Sequence, residues 1–539
     1  MPPHIDRRSL LLTATLGLGA YAIPGFAQGP NWIVDAFTHS VASGEPTSDG
    51  MLLWTRYVPK DGRTVKLRVE VSETPGFARV VAGGEAVTGP WRDHTAKISV
   101  TGLKPGTRYH YRFVAPDGRF SPVGRARTLP EEARQFRIGI FSCSNLAFGH
   151  FNAYANAAAR DDLDLAVHLG DYIYEYAPGV YPSADVHIAA RLPQPMAECV
   201  HLADYRLRYA SYRADPDLQA LHAAVPMLIE WDDHEFANDA WEGGAENHGA
   251  NEGEWSIRRG AAIQAWREWM PVSDEPYAAY DLGGLATFFR TESRVNARTR
   301  PYELAPLFKN PDPAAALKAF RDGPWMDPTA TMLGGTQENW LAHELARSVR
   351  SGRRWQVVGF GTIMGETRSP DASLGWLKPD ASPFMRNRVN AGAVAAKAGL
   401  PFNLDNWGGY PAARARFLKS AQAAGANLVV LSGDSHNGWA YDLGQDGKPA
   451  GVEFAGHAVS SAGFESSFAA DPAIIARATV AANPELKWCD TSRRGYMALT
   501  LTPDRVSNDW VFVDTVRERN PRARVGHTAV VQRGRNVMV

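Results

Sequence analysis

Four short apolar runs in this chain each end in a cluster of polar residues, and this repeated pattern restricts the possible folds strongly. The runs cover residues 136–141, 163–169, 225–230 and 427–431. Their length and composition are typical of fully buried strands. A helix is predicted over 339–349, where apolar residues recur at helical spacing, and a strand follows at 355–360. Buried strands that alternate with helices indicate an α/β fold.

The polar clusters all follow the carboxyl ends of the predicted strands. In open α/β sheets, ligands bind beyond these ends. We therefore expect the four clusters to meet at one site. They contain, in chain order, Cys143, Asp171 with Tyr174, Asp233 with His234, and Asp434 with His436.

Three of these residues supply a mixed set of donor atoms. Cys143 and Tyr174 are anionic when they bind a metal, and His436 adds a nitrogen. Thiolate, phenolate and imidazole together suit a transition metal, and a phenolate favours a trivalent ion such as Fe³⁺. The pattern predicts a transition-metal site.

Three aspartates supply oxygen only. Asp171, Asp233 and Asp434 suit a hard divalent ion such as Ca²⁺, Mg²⁺ or Mn²⁺. Asp171 lies three residues before Tyr174, so it can bridge two ions. Paired metals about 3.5–4 Å apart hold the attacking and leaving oxygens of a phosphoryl displacement.

Each cluster alone has an ordinary explanation. An aspartate after a strand commonly caps a helix, a buried cysteine packs as a small hydrophobe, and a histidine commonly has a structural hydrogen bond. Four clusters that all follow strands and all carry ligand-type residues are difficult to explain in this way.

The region before these strands has short alternating runs with turn signals between them, at 51–55, 65–71, 95–100 and 109–113. This pattern predicts a small all-β sandwich of immunoglobulin or fibronectin type III style over 31–128. We expect a linker at 129–135, the main domain at 136–520 and a tail at 521–539.

The first 27 residues have the three parts of a twin-arginine signal peptide. Arg7 and Arg8 precede an uncharged run that is short for a membrane span, and Gly25-Phe26-Ala27 suits cleavage after Ala27. The signal predicts export by the twin-arginine machinery to the periplasm or the exterior.

Charge and motif content argue against nucleic-acid-binding proteins, serine hydrolases, zinc proteases and nucleotide-driven phosphotransferases. A formal charge of −1 gives no basic face for nucleic acid. The chain has no Gly-x-Ser-x-Gly elbow, no His-Glu-x-x-His and no phosphate-binding Gly-x-x-x-x-Gly-Lys-Ser/Thr. Cys199 and Cys489 are left over for a disulfide, which the sequence leaves open.

Four strings resemble the calcineurin-like metallophosphoesterase superfamily, and more specifically the PhoD-type alkaline phosphatases and phosphodiesterases. They are FSCSN (141–145), HLGDYIYEY (168–176), EWDDHEFAND (230–239) and LSGDSHNGWAYDL (431–443); DNWGGY (405–410) and RGY (494–496) also look similar. The resemblance covers nearly the whole chain. It implies a four-layer α/β domain with two central sheets flanked by helices, after the sandwich.

The resemblance also implies cofactors, namely Fe³⁺ with one or two Ca²⁺, and it implies Asn238 as a ligand of the second site. The superfamily usually has Asn where this chain has Asp233, and His where it has Asp434. Both replacements add carboxylates and favour Ca²⁺. The family often has Asp-Thr-Arg where this chain has Glu292-Ser293-Arg294, so the role of Glu292 stays open.

These features predict a secreted, metal-dependent phosphoester hydrolase. His234 is expected to assist the leaving oxygen or stabilise charge, and Arg294 to hold a phosphate oxygen with two hydrogen bonds. Monoesters and diesters both remain open as substrates. One alternative is a phosphodiesterase or phospholipase D-like enzyme acting on lipid or wall polymer; another is a non-enzymatic surface-binding protein. The tail after Asn520 carries several arginines and is a candidate cover for the cleft, and the oligomeric state is not readable.

Overall fold

The computed structural model describes residues 36–539, so the predicted signal peptide lies outside the described residues. Within the described range, no helix has both the length and the apolar character that a membrane span requires.

Three β-sheets form the framework. The nine-stranded sheet has the spatial order β20-β19-β18-β8-β9-β10-β1-β2-β5 and contains β1 (Ala36–Gly44), β2 (Met51–Val58), β5 (Thr95–Val100), β8 (Phe136–Phe141), β9 (Leu165–Leu169), β10 (Met227–Glu230), β18 (Gly495–Leu501), β19 (Arg505–Val513) and β20 (Ala523–Gln532). The seven-stranded sheet has the order β11-β12-β13-β14-β16-β15-β17 and contains β11 (Ala278–Leu282), β12 (Ala286–Arg290), β13 (Trp355–Phe360), β14 (Leu428–Ser432), β15 (Gly438–Gln445), β16 (Lys448–Ala455) and β17 (Leu486–Asp490). The four-stranded sheet has the order β4-β3-β6-β7 and contains β3 (Val65–Ser72), β4 (Ala82–Thr88), β6 (Arg108–Val114) and β7 (Gly124–Arg127).

The α-helices connect the strands of the two larger sheets. They are α1 (Asn152–Ala158), α2 (Leu202–Arg213), α3 (Pro216–Ala224), α4 (Trp255–Trp269), α5 (Pro313–Asp322), α6 (Gly334–Arg350), α7 (Pro383–Lys397), α8 (Pro411–Ala424) and α9 (Pro472–Ala482).

The two larger sheets pack face to face and carry helices on their outer faces. Ile138, Val167 and Leu228 of one sheet share a core with Val357 and Val429 of the other. Strands buried on both faces need apolar residues at successive positions, which explains the continuous apolar runs in the sequence. The outer faces pack on α1, α2 and α4 at one side and on α6 and α8 at the other. The predicted four-layer α/β fold is confirmed.

Parallel pairing brings the strand ends together. In the first sheet β8 pairs with β9, and β9 with β10; in the second, β12 pairs with β13, and β13 with β14. The carboxyl ends of parallel strands lie at one edge of a sheet. The four polar clusters therefore stand in the same region, as the sequence predicts.

The sandwich shares a sheet with the rest of the molecule. Its core lies between β1, β2 and β5 on one side and the four-stranded sheet on the other. Strand β1 also pairs in parallel with β10, where Gly44 is opposite Met227. The indole Nε1 of Trp54, in β2, donates to the Glu268 carbonyl of α4 at 2.8 Å. The all-β sandwich is thus present, but one of its sheets continues into the main domain.

The end of the chain differs from the predicted tail. Residues after 520 form β20, which pairs antiparallel with β19 along its length. Ala529 and Val531 of this strand enter the core between the two large sheets. The segment is an edge strand, and its arginines belong to that strand and its flanks. A role of this segment in covering the cleft stays a prediction.

Candidate metal centre

Four residues predicted as one ligand set lie together. The hydroxyl of Tyr174 donates to Asp171 Oδ2 at 3.0 Å and lies 3.1 Å from His436 Nε2. The ligand atoms of Cys143, Asp171 and His436 lie within 4.8 Å of one another. Cys143 and Asp171 are almost fully buried. One thiol, one phenol, one imidazole and one carboxylate therefore converge on one point.

A second group of oxygen donors adjoins the first. Asp232, Asp233 and Asp434 present carboxylate oxygens within 4.8 Å of one another. The ligand atoms of Asp171, Asp233 and His234 also lie within 4.8 Å of one another. Asp171 thus belongs to both neighbourhoods, which is the position that a bridging ligand requires.

Strained backbone places several of these side chains. Cys143, Asp171, Asp434 and His436 have φ values of 60°, 54°, 62° and 62°. This left-handed conformation costs a non-glycine residue roughly 1–3 kcal/mol and collects at functional sites. A Cβ at Gly170 would lie 2.4 Å from the Asp232 backbone nitrogen, so only glycine permits the approach of these two turns.

Glu235 ties two strand ends together. Its buried carboxylate accepts hydrogen bonds from the backbone N–H groups of Asp171 (3.1 Å), Tyr172 (2.6 Å) and Asp232 (2.7 Å). One side chain therefore holds the turn after β9 against the turn after β10. Glu235 positions ligands and is not directed into the ligand groups.

The hydrogen bonding of His436 orients it for metal binding. Nδ1 lies 2.7 Å from the Ala462 carbonyl oxygen, which requires a proton on Nδ1 and leaves the lone pair on Nε2. Burial lowers the pKa of His436 to about 3, so the imidazole is neutral at physiological pH. A neutral imidazole is the form that ligates metals.

The local charge also fits metal ions. Asp171 Oδ1 and Asp233 Oδ1 are buried, and neither has a hydrogen-bond partner in the described part of the chain. Burial and the neighbouring carboxylates raise the pKa values of Asp171 and Asp434. Bound cations would satisfy these oxygens and offset the repulsion. The donor atoms thus suit a transition metal in the first group and a hard divalent ion in the second.

Arg294 lies among buried carboxylates. Its guanidinium is fully buried and pairs with both oxygens of Asp232, at 2.5 and 2.9 Å, and with Asp405 Oδ2 at 2.6 Å. These contacts use Nε and one N–H each of Nη1 and Nη2. The geometry fits a positioning role for Arg294 beside Asp232, and its predicted contact with phosphate stays a prediction.

Asn238 does not contact the ligand groups through its side chain. Its amide nitrogen donates to Glu246 at 3.2 Å, and its backbone N–H donates to Glu175 at 2.7 Å. The next residue lies closer, since Asp239 donates its N–H to Asp233 Oδ2 at 2.7 Å. Burial and the charges of Asp405 and Asp233 raise the pKa of Asp239. The role predicted for Asn238 stays a prediction, and Asp239 is a further candidate outside the predicted ligand set.

His234 stands beside both ligand groups with its orientation held. Nδ1 lies 2.7 Å from the buried Glu175 Oε2, and the ring packs 4.3 Å from that of Tyr174, centroid to centroid. Burial alone would lower the pKa of His234, but the charges of Asp233, Glu175 and Asp171 outweigh it and raise the pKa. A cationic imidazole at this place can donate a proton or stabilise an anion.

The buried Glu292 has a structural role. Its carboxylate accepts from the backbone N–H groups of Arg294 (2.8 Å), Val295 (2.8 Å) and Asn296 (2.9 Å). The indole of Trp231 adds a fourth bond at 2.9 Å. Glu292 therefore holds the turn that presents Arg294.

The three cysteines are all free and buried. Cys199 packs in the core under the helices of the nine-stranded sheet, whereas Cys489 packs in the core outside the seven-stranded sheet. The disulfide that the sequence leaves open does not form.

Two comparisons with protein families cover most of the chain. A model described as "PhoD-like phosphatase" matches residues 138–510, and one described as "PhoD-like phosphatase, N-terminal domain" matches residues 27–130. Alkaline phosphatase D of Bacillus subtilis (strain 168) is 32% identical over 537 residues, which cover 95% of this chain and 82% of that protein.

Solved structures agree with these matches. A structure of PhoD superposes with a TM-score of 0.75 at 28% identity, covering 96% of this chain and 93% of that one. The purple acid phosphatase PPD1 of yellow lupin seeds shares the fold, with a TM-score of 0.56 at 13% identity, covering 93% of this chain and 75% of that one.

Proposed function

This chain belongs to the PhoD-like phosphatase family and is a hydrolase of phosphoric esters; on that premise we propose that it is an exported enzyme that uses Fe³⁺ with Ca²⁺. The twin-arginine pattern of residues 1–27 supports export. The donor atoms of the two ligand groups support the choice of metals.

The observation that carries the proposal is the convergence of Cys143, Asp171, Tyr174 and His436 beside three further carboxylates. Cys143, Tyr174 and His436 would hold the trivalent ion, and Asp233 and Asp434 the divalent one. Asp171 would contact both. Asp232, which is paired with Arg294, stands beside these carboxylates. When bound, such ions supply Lewis acidity and an activated water for attack on phosphorus.

The protein groups around the ions divide the remaining work. Glu235 and Arg294 hold the carboxylates in place through the strand turns and through Asp232. Nδ1 of His234 donates its proton to the Glu175 carboxylate, so Nε2 would be the atom that transfers a proton to an oxygen of the ester. Donation to the leaving oxygen, or stabilisation of its charge, is the step assigned to His234.

The test compares a chromogenic phosphomonoester with the matching bis-ester, using protein exported through its own signal and assayed with Ca²⁺. We expect hydrolysis of at least one substrate, with both rates lost in His436→Ala together with its iron content. Cys489→Ser, which alters a buried cysteine in another core, should keep the wild-type iron content and rate. Full activity of His436→Ala without iron would refute the site. The ratio of the two rates separates a monoesterase from a diesterase.

A further inference from the structure

A second cavity lies between the sandwich and helix α4 and shares no residue with the metal centre. Its volume is about 690 Å³. The sandwich contributes Trp91, Arg92 and Lys97, and the region of α4 contributes Arg267 and Glu268. Trp91 is 58% exposed at the rim, with Arg92 packed over its ring at 5.3 Å.

The cations of this cavity are under-compensated. Lys97 Nζ donates to the Val272 carbonyl oxygen at 2.5 Å, and Arg92 Nε reaches Thr95 Oγ1 at 3.4 Å. Across residues 36–539, neither Lys97 nor Arg92 has a carboxylate within ion-pair distance. Arg267 Nε is buried without a hydrogen bond.

The two carboxylates that line the cavity do not neutralise its three cations. Glu268 is engaged by Arg206, which donates to each of its oxygens at 2.7 Å. Asp274 forms an ion pair with Arg267 Nε at 3.4 Å and accepts a hydrogen bond from Nη2 at its carbonyl oxygen at 2.9 Å, but its side chain is 82% exposed. The lining therefore presents an excess of positive charge to the cavity.

The pKa of Lys97 reflects its burial beside this excess of positive charge. Burial and then the charge of Arg92 lower this pKa to about 8, and the charges of Asp274 and Glu45 only partly oppose this shift. An anion in the cavity would raise the pKa of Lys97, since a nearby negative charge favours the protonated ammonium.

We propose that this cavity is a second oxyanion site, which binds a phosphate group between Arg92, Lys97 and Arg267. The planar guanidinium groups match phosphate oxygens geometrically, and the ammonium adds a point charge. Trp91 offers an apolar wall for an organic group attached to the phosphate. The site stands on different residues from the metal centre, so it does not depend on the proposed activity.

The test follows acetylation of Lys97 in the intact protein by peptide mass spectrometry. An oxyanion beside Lys97 should raise its pKa by about one or more, which slows acetylation at pH 7 by about tenfold. The exposed Lys66 of the sandwich is the internal control and should react at the same rate throughout. Inorganic phosphate is the first probe, at constant ionic strength set with chloride.

We expect saturable protection of Lys97 from acetylation. The protection should disappear in the double variant Arg92→Met/Arg267→Met but persist in His436→Ala. It should also persist in Arg63→Met, which alters an exposed arginine of the sandwich. Phenylphosphonate distinguishes the source of the phosphate. Protection at lower concentration than inorganic phosphate, reversed by Trp91→Ala, means an organic phosphate; equal protection means free phosphate. Absence of saturable protection with both probes, or equal protection of Lys66, overturns the proposal.

Discussion

At the residue scale, the ligands could be predicted because each one directly follows a strand in the chain. The residues that hold these ligands in position could not be predicted in this way. Arg294 contacts Asp405, which is 111 residues away, and Glu235 binds N–H groups 63 and 64 residues away. Such contacts exist only after the sheets have packed. The string that contains Asp405 resembles the PhoD-type enzymes, but none of its neighbouring residues indicates that Asp405 pairs with an arginine.

Replacement of Arg294 should therefore damage stability as well as metal binding. Arg294→Met leaves Asp232 buried without its arginine partner, while Asp405 keeps its ion pair with Arg298. Breaking a buried ion pair by removing one partner typically costs about 3–5 kcal/mol. Urea unfolding measures this loss. Arg300→Met, which removes an exposed arginine paired with Glu303, should change the free energy of unfolding by less than about 0.5 kcal/mol. Wild-type stability and metal content in Arg294→Met would contradict the positioning role.

His234 should matter most for substrates with poor leaving groups. If it donates a proton to the leaving oxygen, His234→Gln should lower kcat by about 10²–10⁴ for an alkyl phosphate and by less for a nitrophenyl phosphate, which leaves without help. Glu175→Gln keeps a neutral partner at Nδ1 and should show a smaller loss with the same trend. Equal losses on both substrates would mean that His234 stabilises charge without transferring a proton.

At the element scale, the buried strands matched their predicted ranges closely because parallel strands between two layers are apolar throughout. Helix α6 also agrees with its prediction and is longer at both ends. Helix α7 was not predicted, since its sequence has weak periodicity; Ser382 caps it by accepting from the Met385 N–H at 3.2 Å. Strand β20 was missed because its partner β19 and its core contacts are tertiary.

The shared sheet predicts that the sandwich is required for folding. A chain that begins at residue 129 would lose β1, β2 and β5. This would expose the edge of β10 and the surface of α4 that Trp54 contacts. Unpaired apolar edges aggregate. We expect this fragment to show no cooperative thermal unfolding by circular dichroism. A soluble fragment with a cooperative transition would mean that the sandwich is an independent domain.

At the scale of the whole molecule, buried histidines make stability depend on pH. Burial lowers the pKa values of His168 and His457 to about 3, against an ordinary value of 6.5. Between these values the unfolded chain binds more protons than the folded one, so stability rises with pH. Each histidine should cost about 1.4 kcal/mol per pH unit as pH falls below 6.5.

Urea unfolding from pH 7 to pH 5 measures this slope. His168→Gln should reduce it by the share of one histidine, whatever the variant does to the stability at pH 7. His201→Gln alters a histidine whose side chain is 80% exposed and should leave the slope unchanged. An unchanged slope in His168→Gln would show that this histidine is protonated when folded.

A trivalent iron held by Cys143, Asp171, Tyr174 and His436, as proposed, would be visible in the absorption spectrum of the exported protein. Phenolate and thiolate ligands give Fe³⁺ intense visible absorption, so the protein should be coloured in proportion to its iron content. Tyr174→Phe should shift or remove the phenolate band, whereas Tyr181→Phe, which alters the tyrosine stacked on His436, should keep it. A colourless, iron-free protein with full phosphoesterase activity would rule out this iron site.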